Sequence, residues 1–401
     1  MSAPVLDPYD HQLQVDPYPT YARLRRESPL YHNAENDFWV LSRHADIAAA
    51  LRADEAYSNR MGVSLDATAW NEHAHTVMSF LALDPPEQTR LRRLVSRGFT
   101  ARRVALLEPQ IQRITAHYLD QALAGGGTSS FDWIARVAGT VPMDVISEML
   151  GVPESDRSEL RRLADLLVAR EHGIRDVPAA GIEASLVLFD YYRAHVAQRH
   201  RRPTDDLTSA LLSTELEGDR MTDDEVVAFL FLMVVAGNET TTKLLGNALY
   251  HLTARPALRD EVLDDPSLVP AWVEETLRYD ASTQFVARYL AEDVLLHGVT
   301  APAGSPLLLA LGSANRDEAV FAEPDRYDLH RPPKELAQIL SFGGGRHFCL
   351  GANLARLEAR VVLSALLARV RAIEVDHTGC TRFYSANVRG FATVPVTVEV
   401  R

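Results

Sequence analysis

The chain has 401 residues, two cysteines and a formal charge of −13. That length exceeds the usual single-core size, so one large layered domain or two smaller ones are implied, with room to bury a sizeable cofactor. Two cysteines exclude a disulfide framework, and the acidic balance disfavours a general nucleic-acid or anionic-membrane surface.

The N-terminal MSAPVLDPYDHQ has neither the basic nor the apolar region of a signal peptide, so a reducing cytoplasm is the expected location. FWVLS at 38–42 reads as a strand. Residues 84–100, DPPEQTRLRRLVSRGFT, carry a helix pattern, with amphipathic stretches following at about 109–124, 158–168 and 184–201. The longest apolar run, VVAFLFLMVVAG at 226–237, is too short for a hydrocarbon core of about 30 Å. It belongs to a helical pattern over 221–256, with Thr222 and Glu225 as a capping box, Asp223 and Asp224 at the positive end, and Pro256 as the stop. QFVARYL (284–290), DVLLHGV (293–299) and TVPVTVEV (393–400) read as strands, and 353–371 as a helix. No repeat or long linker interrupts the pattern, so the expectation is a mainly α protein with small β-sheets and one domain over 1–401.

Two stretches depart from plain core packing. The helix over 221–256 is apolar all round, yet its middle holds Gly237, Asn238, Glu239, Thr240 and Thr241. Glycine costs about 1 kcal/mol against alanine in a helix, and a buried carboxylate must be paired or protonated. A packed helix with a polar kink is one reading; a small-residue notch beside a proton-handling acid and alcohol is the other. The second stretch, SFGGGRHFCLG at 341–351, surrounds Cys349 with glycines, phenylalanines and basic groups. A helix begins just after the sulfur, and helix starts and cations both lower a thiol pKa. Gly343 to Gly345 permit positive φ and offer backbone N–H groups to the sulfur; Phe342 and Phe348 would exclude water; Gly351 would let a flat group approach. A lone cysteine is more often an inert core thiol. Zinc lacks a second ligand at a suitable spacing, and a cysteine hydrolase lacks an identifiable base. One thiolate on an iron whose other ligands are not protein fits haem.

FGGGRHFCLG resembles the haem-binding loop of the cytochrome P-450 superfamily, pattern FGxGxHxCxG. AGNETT (236–241) resembles its oxygen-activation segment, EETLR (274–278) contains its ExxR pair, and residues 84–100 are similar to its propionate-contacting helix. DPYPTYARLR (16–25) and ANRDEAVFAEPDRYDLHR (314–331) also look like soluble bacterial members, without anchor or fused reductase. The resemblance implies a cytochrome P-450 fold, with haem b buried between the long central helix and the helix after the Cys loop. Cys349 is then the iron ligand. His347, Arg92 and Arg288 meet the propionates, with Gln88 standing where many relatives have histidine. Ala236 and Gly237 leave room for O2, Thr240 and Glu239 are the acid–alcohol pair, and Glu275–Arg278 is a structural ion pair.

The implied activity is haem-thiolate monooxygenation, hydroxylation or epoxidation, of a medium-sized hydrophobic molecule, in secondary metabolism for example. Electrons would come from NAD(P)H through ferredoxin reductase and ferredoxin, to a cytoplasmic monomer with no nucleic-acid or membrane partner. A peroxide-driven or coupling-type member, or a non-catalytic haem sensor or carrier, is the alternative. Arg90, Arg93, Arg97, Arg102, Arg103 and Arg346 form a candidate ferredoxin-docking patch. The expected substrate pocket includes Leu232, Val235, Phe285 and Val388, with cover from 64–80 and 166–186; the charges in LLVAREHGI have no assigned direction.

Overall fold

The computed structural model describes residues 5–171 and 174–401; His172 and Gly173, within the expected 166–186 cover, lie outside the described residues. Its organising element is the helix Asp223–Thr253. Both halves of the capping box form: the Thr222 hydroxyl accepts from Glu225 N–H and the Glu225 carboxylate accepts from Thr222 N–H. Three acidic residues in the first turn face the positive end of the dipole. At 1.5 Å per residue the helix is about 46 Å long. It is long and apolar enough to cross a membrane by those criteria alone, yet 67% of its most apolar window is buried inside the protein. The helix is therefore a core element, surrounded by Val141–Leu150, Glu154–Val168, Ala179–Arg201, Val269–Tyr279 and Ala352–Arg369.

No break interrupts it at Gly237: the Thr240 hydroxyl donates to the Ala236 carbonyl at 2.9 Å while the helix continues on both sides. The polar residues change which surface it presents. Ala236 is exposed and Thr240 half-exposed, while Asn238, Glu239 and Thr241 are buried.

A five-stranded sheet flanks this helical body. Its order is Leu30–Asn33, Phe38–Leu41, Pro306–Ala310, Phe285–Leu290 and Tyr57–Ser58. Only the Phe38–Leu41 and Pro306–Ala310 pair is parallel. All four residues of Phe38–Leu41 are buried, since the strand is interior to the sheet. A second core forms there from Phe38, Val40, Leu41, Ile47, Leu308 and neighbours, separate from the core around the central helix. Residues 293–299, read as one strand, instead form a hairpin of Val294–Leu296 and Val299–Ala301, because His297 and Gly298 both take positive φ at the turn. The C-terminal strand Pro395–Val400 lies between Thr128–Asp132 and Val370–Val375.

Candidate functional site

The Cys loop is held by two kinds of constraint. Gly343 and Gly345 adopt φ of +69° and +59°, and a Cβ on Gly345 would lie 2.1 Å from the Leu51 carbonyl oxygen. No other residue type fits that approach. Cys349 N–H donates to the Phe342 carbonyl at 2.9 Å, closing the loop, and Ala352–Arg369 starts immediately after. The N–H groups that reach the sulfur belong to Gly351 and Ala352 at the helix start, not to Gly343–Gly345 as the glycine run implied.

Cys349 has accessible surface yet is ringed by protein at longer range. Burial pushes the thiol above its ordinary value; the Gly351 and Ala352 N–H groups, Arg92 and Arg356 pull the other way without winning. The polypeptide alone therefore does not favour the thiolate, contrary to the expectation from the helix start; a coordinated metal deprotonates a thiol outright. The other thiol, Cys380, is half-buried, donates to the Asp376 carbonyl and is pushed up to about 11 by burial and Asp376. It has the properties of an inert thiol.

Three basic side chains converge near the loop. Arg288 is buried, with one N–H on its own strand's Ala287 carbonyl, and burial lowers its pKa to about 10. Arg92 is half-buried; Nη2 donates to the Phe348 carbonyl, and Nη1 is buried with no partner. The Leu83 carbonyl lies near the His347 ring, but neither ring nitrogen has a partner at hydrogen-bonding geometry. Burial, then Arg288 and Arg92, hold that imidazole down to about 3. Two guanidiniums beside a neutral imidazole, with Arg92 Nη1 and both His347 ring nitrogens buried and unpartnered, are costly without anionic oxygens to meet them.

Gln88 is placed differently from the expectation. Its side chain is buried and Nε2 donates to the Arg346 carbonyl at 2.9 Å, so its amide steadies the loop backbone. Phe342 is half-buried against Arg356, while Phe348 is 43% exposed and does not seal the loop. Across the site, Cβ atoms built on Gly351 and Gly237 would meet nothing closer than 3.9 Å. Together with exposed Ala236, they leave two helix surfaces free of side-chain bulk. These are the features a flat macrocycle with two carboxylates requires.

The ExxR pair does what its spacing implies. Glu275 and Arg278 are both fully buried and contact at 2.7 and 2.8 Å. Arg278 also donates to the Asn315, Pro324 and Arg326 carbonyls. Sequence reasoning missed Arg331, which contacts Glu275 at 3.0 Å and Glu335 at 2.9 Å. It lay in the quoted 314–331 motif, but nothing in its spacing points to Glu275. The connection to the Cys loop runs through Asn315, whose side chain bonds Ser341 Oγ and Leu340 N–H at 2.7 Å each.

With this geometry in hand, the comparisons are specific. A cytochrome P-450 family model matches residues 183–400. The chain belongs to the cytochrome P-450 family. It is 52% identical over 398 residues to cytochrome P-450 123 of Mycobacterium tuberculosis, covering 99% of this chain and 98% of that one. It is 39% identical to a vitamin D(3) 25-hydroxylase of Pseudonocardia autotrophica, covering 96% and 94%. Among solved structures, cytochrome P-450 CYP109Q5 from Chondromyces apiculatus superposes with a TM-score of 0.88 at 36% identity over the whole of both chains. The protein is thus a P-450 monooxygenase, and haem iron with a thiolate ligand is the cofactor the family implies.

Other sequence expectations shift. Leu232 is buried and Val235 half-buried on the central helix, the first one turn before Ala236. Phe285 stands edge-on to Tyr21 at 5.8 Å, and with Val388 it lines a cavity of about 20 Å³ beside Pro8, Leu13 and Tyr21. Side chains alternate along a strand, so Phe285 is out of phase with Arg288, and Val286 shares the arginine's face. The proposed docking patch also loses members: Arg90 pairs with Asp219 and Glu225, Arg93 with Glu217, and Arg346 with Asp54. Arg97, Arg102 and Arg103 remain exposed.

The direction of Arg170, within LLVAREHGI, is now defined. It forms a buried ion pair with Asp66 at 2.6 Å, and Asp66 also accepts from Tyr9 and Ser64. Thr68 bonds Asp176 nearby, and Arg175 pairs with Asp7. The two covering segments are therefore tied to each other and to the N-terminal region. Removing one partner of a buried pair costs about 3–5 kcal/mol. Arg170→Ala is expected to speed proteolytic cleavage within 64–80, checked by limited proteolysis; unchanged cleavage would mean other contacts hold the cover.

Proposed function

We propose that this P-450 inserts one oxygen atom from O2 into a medium-sized hydrophobic molecule, by hydroxylation or epoxidation, using NAD(P)H electrons delivered through a ferredoxin reductase and a ferredoxin. The observation that carries this reading is the meeting of Cys349, at a helix start, with His347, Arg92 and buried Arg288, where the unpartnered Arg92 Nη1 and His347 ring nitrogens call for carboxylates. When bound, the haem supplies reductive activation of O2, with thiolate electron density favouring O–O cleavage.

The chain's own residues do the rest. Cys349 would hold the iron, and the Gly351 and Ala352 N–H groups would share the sulfur's charge. His347, Arg92 and Arg288 would bind the propionates, while Gln88 orients the loop. Ala236 and Gly237 keep the facing helix surface low. Thr240 offers a half-exposed hydroxyl to that surface and Glu239, one residue back, holds a buried carboxylate that can move a proton toward it. This acid–alcohol pair favours O2 chemistry over the peroxide-driven and carrier alternatives.

Leu232 and Val235 supply apolar contact on the same helix, and the vitamin D(3) 25-hydroxylase relative supports a rigid lipophilic skeleton as substrate. Screening such compounds for a low-to-high-spin shift of the ferric haem tests the substrate class; shifts only with small polar ligands would reject it. The reduced patch of Arg97, Arg102 and Arg103 is the remaining candidate for an acidic ferredoxin, and rates independent of salt would remove it.

A positioned proton donor contributes about 100-fold or more to a rate. Thr240→Ala is therefore expected to keep consuming NAD(P)H while peroxide becomes the main fate of O2, measured as peroxide and product per NAD(P)H. Full coupling in that variant would take Thr240 out of this role.

A further inference from the structure

A surface helix of a globular protein keeps apolar side chains on one face and polar ones on the other. Helix Glu154–Val168 obeys this: its exposed positions are Glu154, Ser155, Ser158, Glu159 and Arg162, all polar. Helix Ala179–Arg201, packed beside it, does not. Gly181, Ala184, Leu188, Tyr192, His195 and Val196 are buried against the body of the protein, yet Ile182, Leu186 and Val187 on the outward side are 39%, 62% and 52% exposed. No other helix among the described residues exposes more than one large apolar side chain. An apolar stripe with no partner inside the chain points to one outside it.

Charge along the same outward face says which partner fits. Its first half carries the three apolar side chains together with Glu183 and Asp190, and its second half carries Arg193 and Arg201 with the small Ala194 and Ala197, all of them exposed. His200, also in that half, is engaged by Asp223. Within one chain Asp190 and Arg193 lie 3.6 Å apart with both side chains open to water, so the pair is loose and can be exchanged for an equivalent one. A face whose first half complements its second is complementary to an antiparallel copy of itself. With a twofold axis between Tyr191 and Tyr192, Asp190 stands opposite Arg193 of the second copy and Leu186 opposite its Ala197, each contact made twice. The alanines leave grooves for the leucines, and Ile182 covers the aliphatic stem of Arg201. Parallel pairing would instead set acid against acid.

We infer that the outward face of Ala179–Arg201 is the interface of a twofold homodimer, its occupant a second copy of this chain. This replaces the monomer expected from the sequence, and it rests on none of the assignments at the haem site. One helix per copy supplies less than the about 1,200–2,000 Å² of a stable complex, so the dimer is reversible and depends on concentration.

The test is sedimentation velocity of the ferric holoenzyme from low to high micromolar concentration. Wild type is expected to show a monomer–dimer equilibrium, and Leu186→Glu, which puts a charge in the stripe, to weaken association at least about tenfold. Asp190→Arg and Arg193→Asp should each weaken the dimer, while the two together should restore it, because the swap rebuilds the pair between copies. Haem content and thermal unfolding should stay at wild-type values in all four variants, since these side chains face solvent. A wild type that remains monomeric throughout, as a face reserved for a different protein or a lipid surface would require, overturns the inference. So does a dimer that Leu186→Glu leaves intact, or one that the double charge swap fails to restore.

Discussion

Cys349→Ser is expected to abolish the thiolate spectrum of the ferrous carbon monoxide complex and to lower monooxygenase activity by orders of magnitude. The effect is large because nothing nearby can substitute. Among the described residues no cluster of three or more His, Cys, Asp and Glu side chains could hold a metal, and Cys380 bonds the Asp376 carbonyl in another part of the fold. Serine keeps the size of the side chain, so the Phe342 carbonyl bond to residue 349 N–H and the helix start at Ala352 should survive. The hydroxyl, however, ionises far less readily than a thiol and is a much harder ligand. His347, Arg92 and Arg288, the proposed propionate partners, would be unchanged, so partial haem retention with an altered axial ligand is the expected state. Normal activity with an intact thiolate band in this variant would falsify the assignment of Cys349.

Arg278→Ala should be the most damaging change away from the sulfur. All five guanidinium N–H groups are used: two on Glu275 and one each on Asn315, Pro324 and Arg326 carbonyls. Alanine would leave Glu275 buried with only Arg331 and the Asp328 N–H as partners, a loss of about 3–5 kcal/mol. Net stabilities of about 5–15 kcal/mol leave little margin for such a loss. Three carbonyls would also lose donors, including that of Asn315, whose side chain holds Leu340 and Ser341 at the start of the Cys loop. Arg278→Lys should fare only slightly better, since three rotating donors cannot reproduce the planar fork. Haem-to-protein ratio and thermal unfolding measure the outcome; wild-type haem content in Arg278→Ala would separate the ion pair from the loop.

What was readable in the chain follows the range of the interactions. SFGGGRHFCLG is legible because sulfur, positive-φ glycines and helix start lie within eleven consecutive residues of one another. The capping box at Thr222 and the Glu275–Arg278 pair are equally local, each set by a three-residue helical spacing. Glu239 and Lys243 at i and i+4 carried a usable signal of the same kind, and it was missed. Phe285 packs on Tyr21, on the face of its strand opposite Arg288, because a single step of strand alternation flips a side chain to the other face.

The sequence by itself determined the family, the helical body and the order of the motifs, because local spacing on helices and loops specifies each of them. Only the tertiary structure decided which charges meet. Arg331 reaches Glu275, Asp66 takes Arg170 and Asp219 takes Arg90, each pair joining segments far apart along the chain. Partners separated by tens to more than a hundred residues leave no periodic trace. Their pairing is set by packing, and packing decides whether a charge steadies the fold, meets a cofactor or holds a proton.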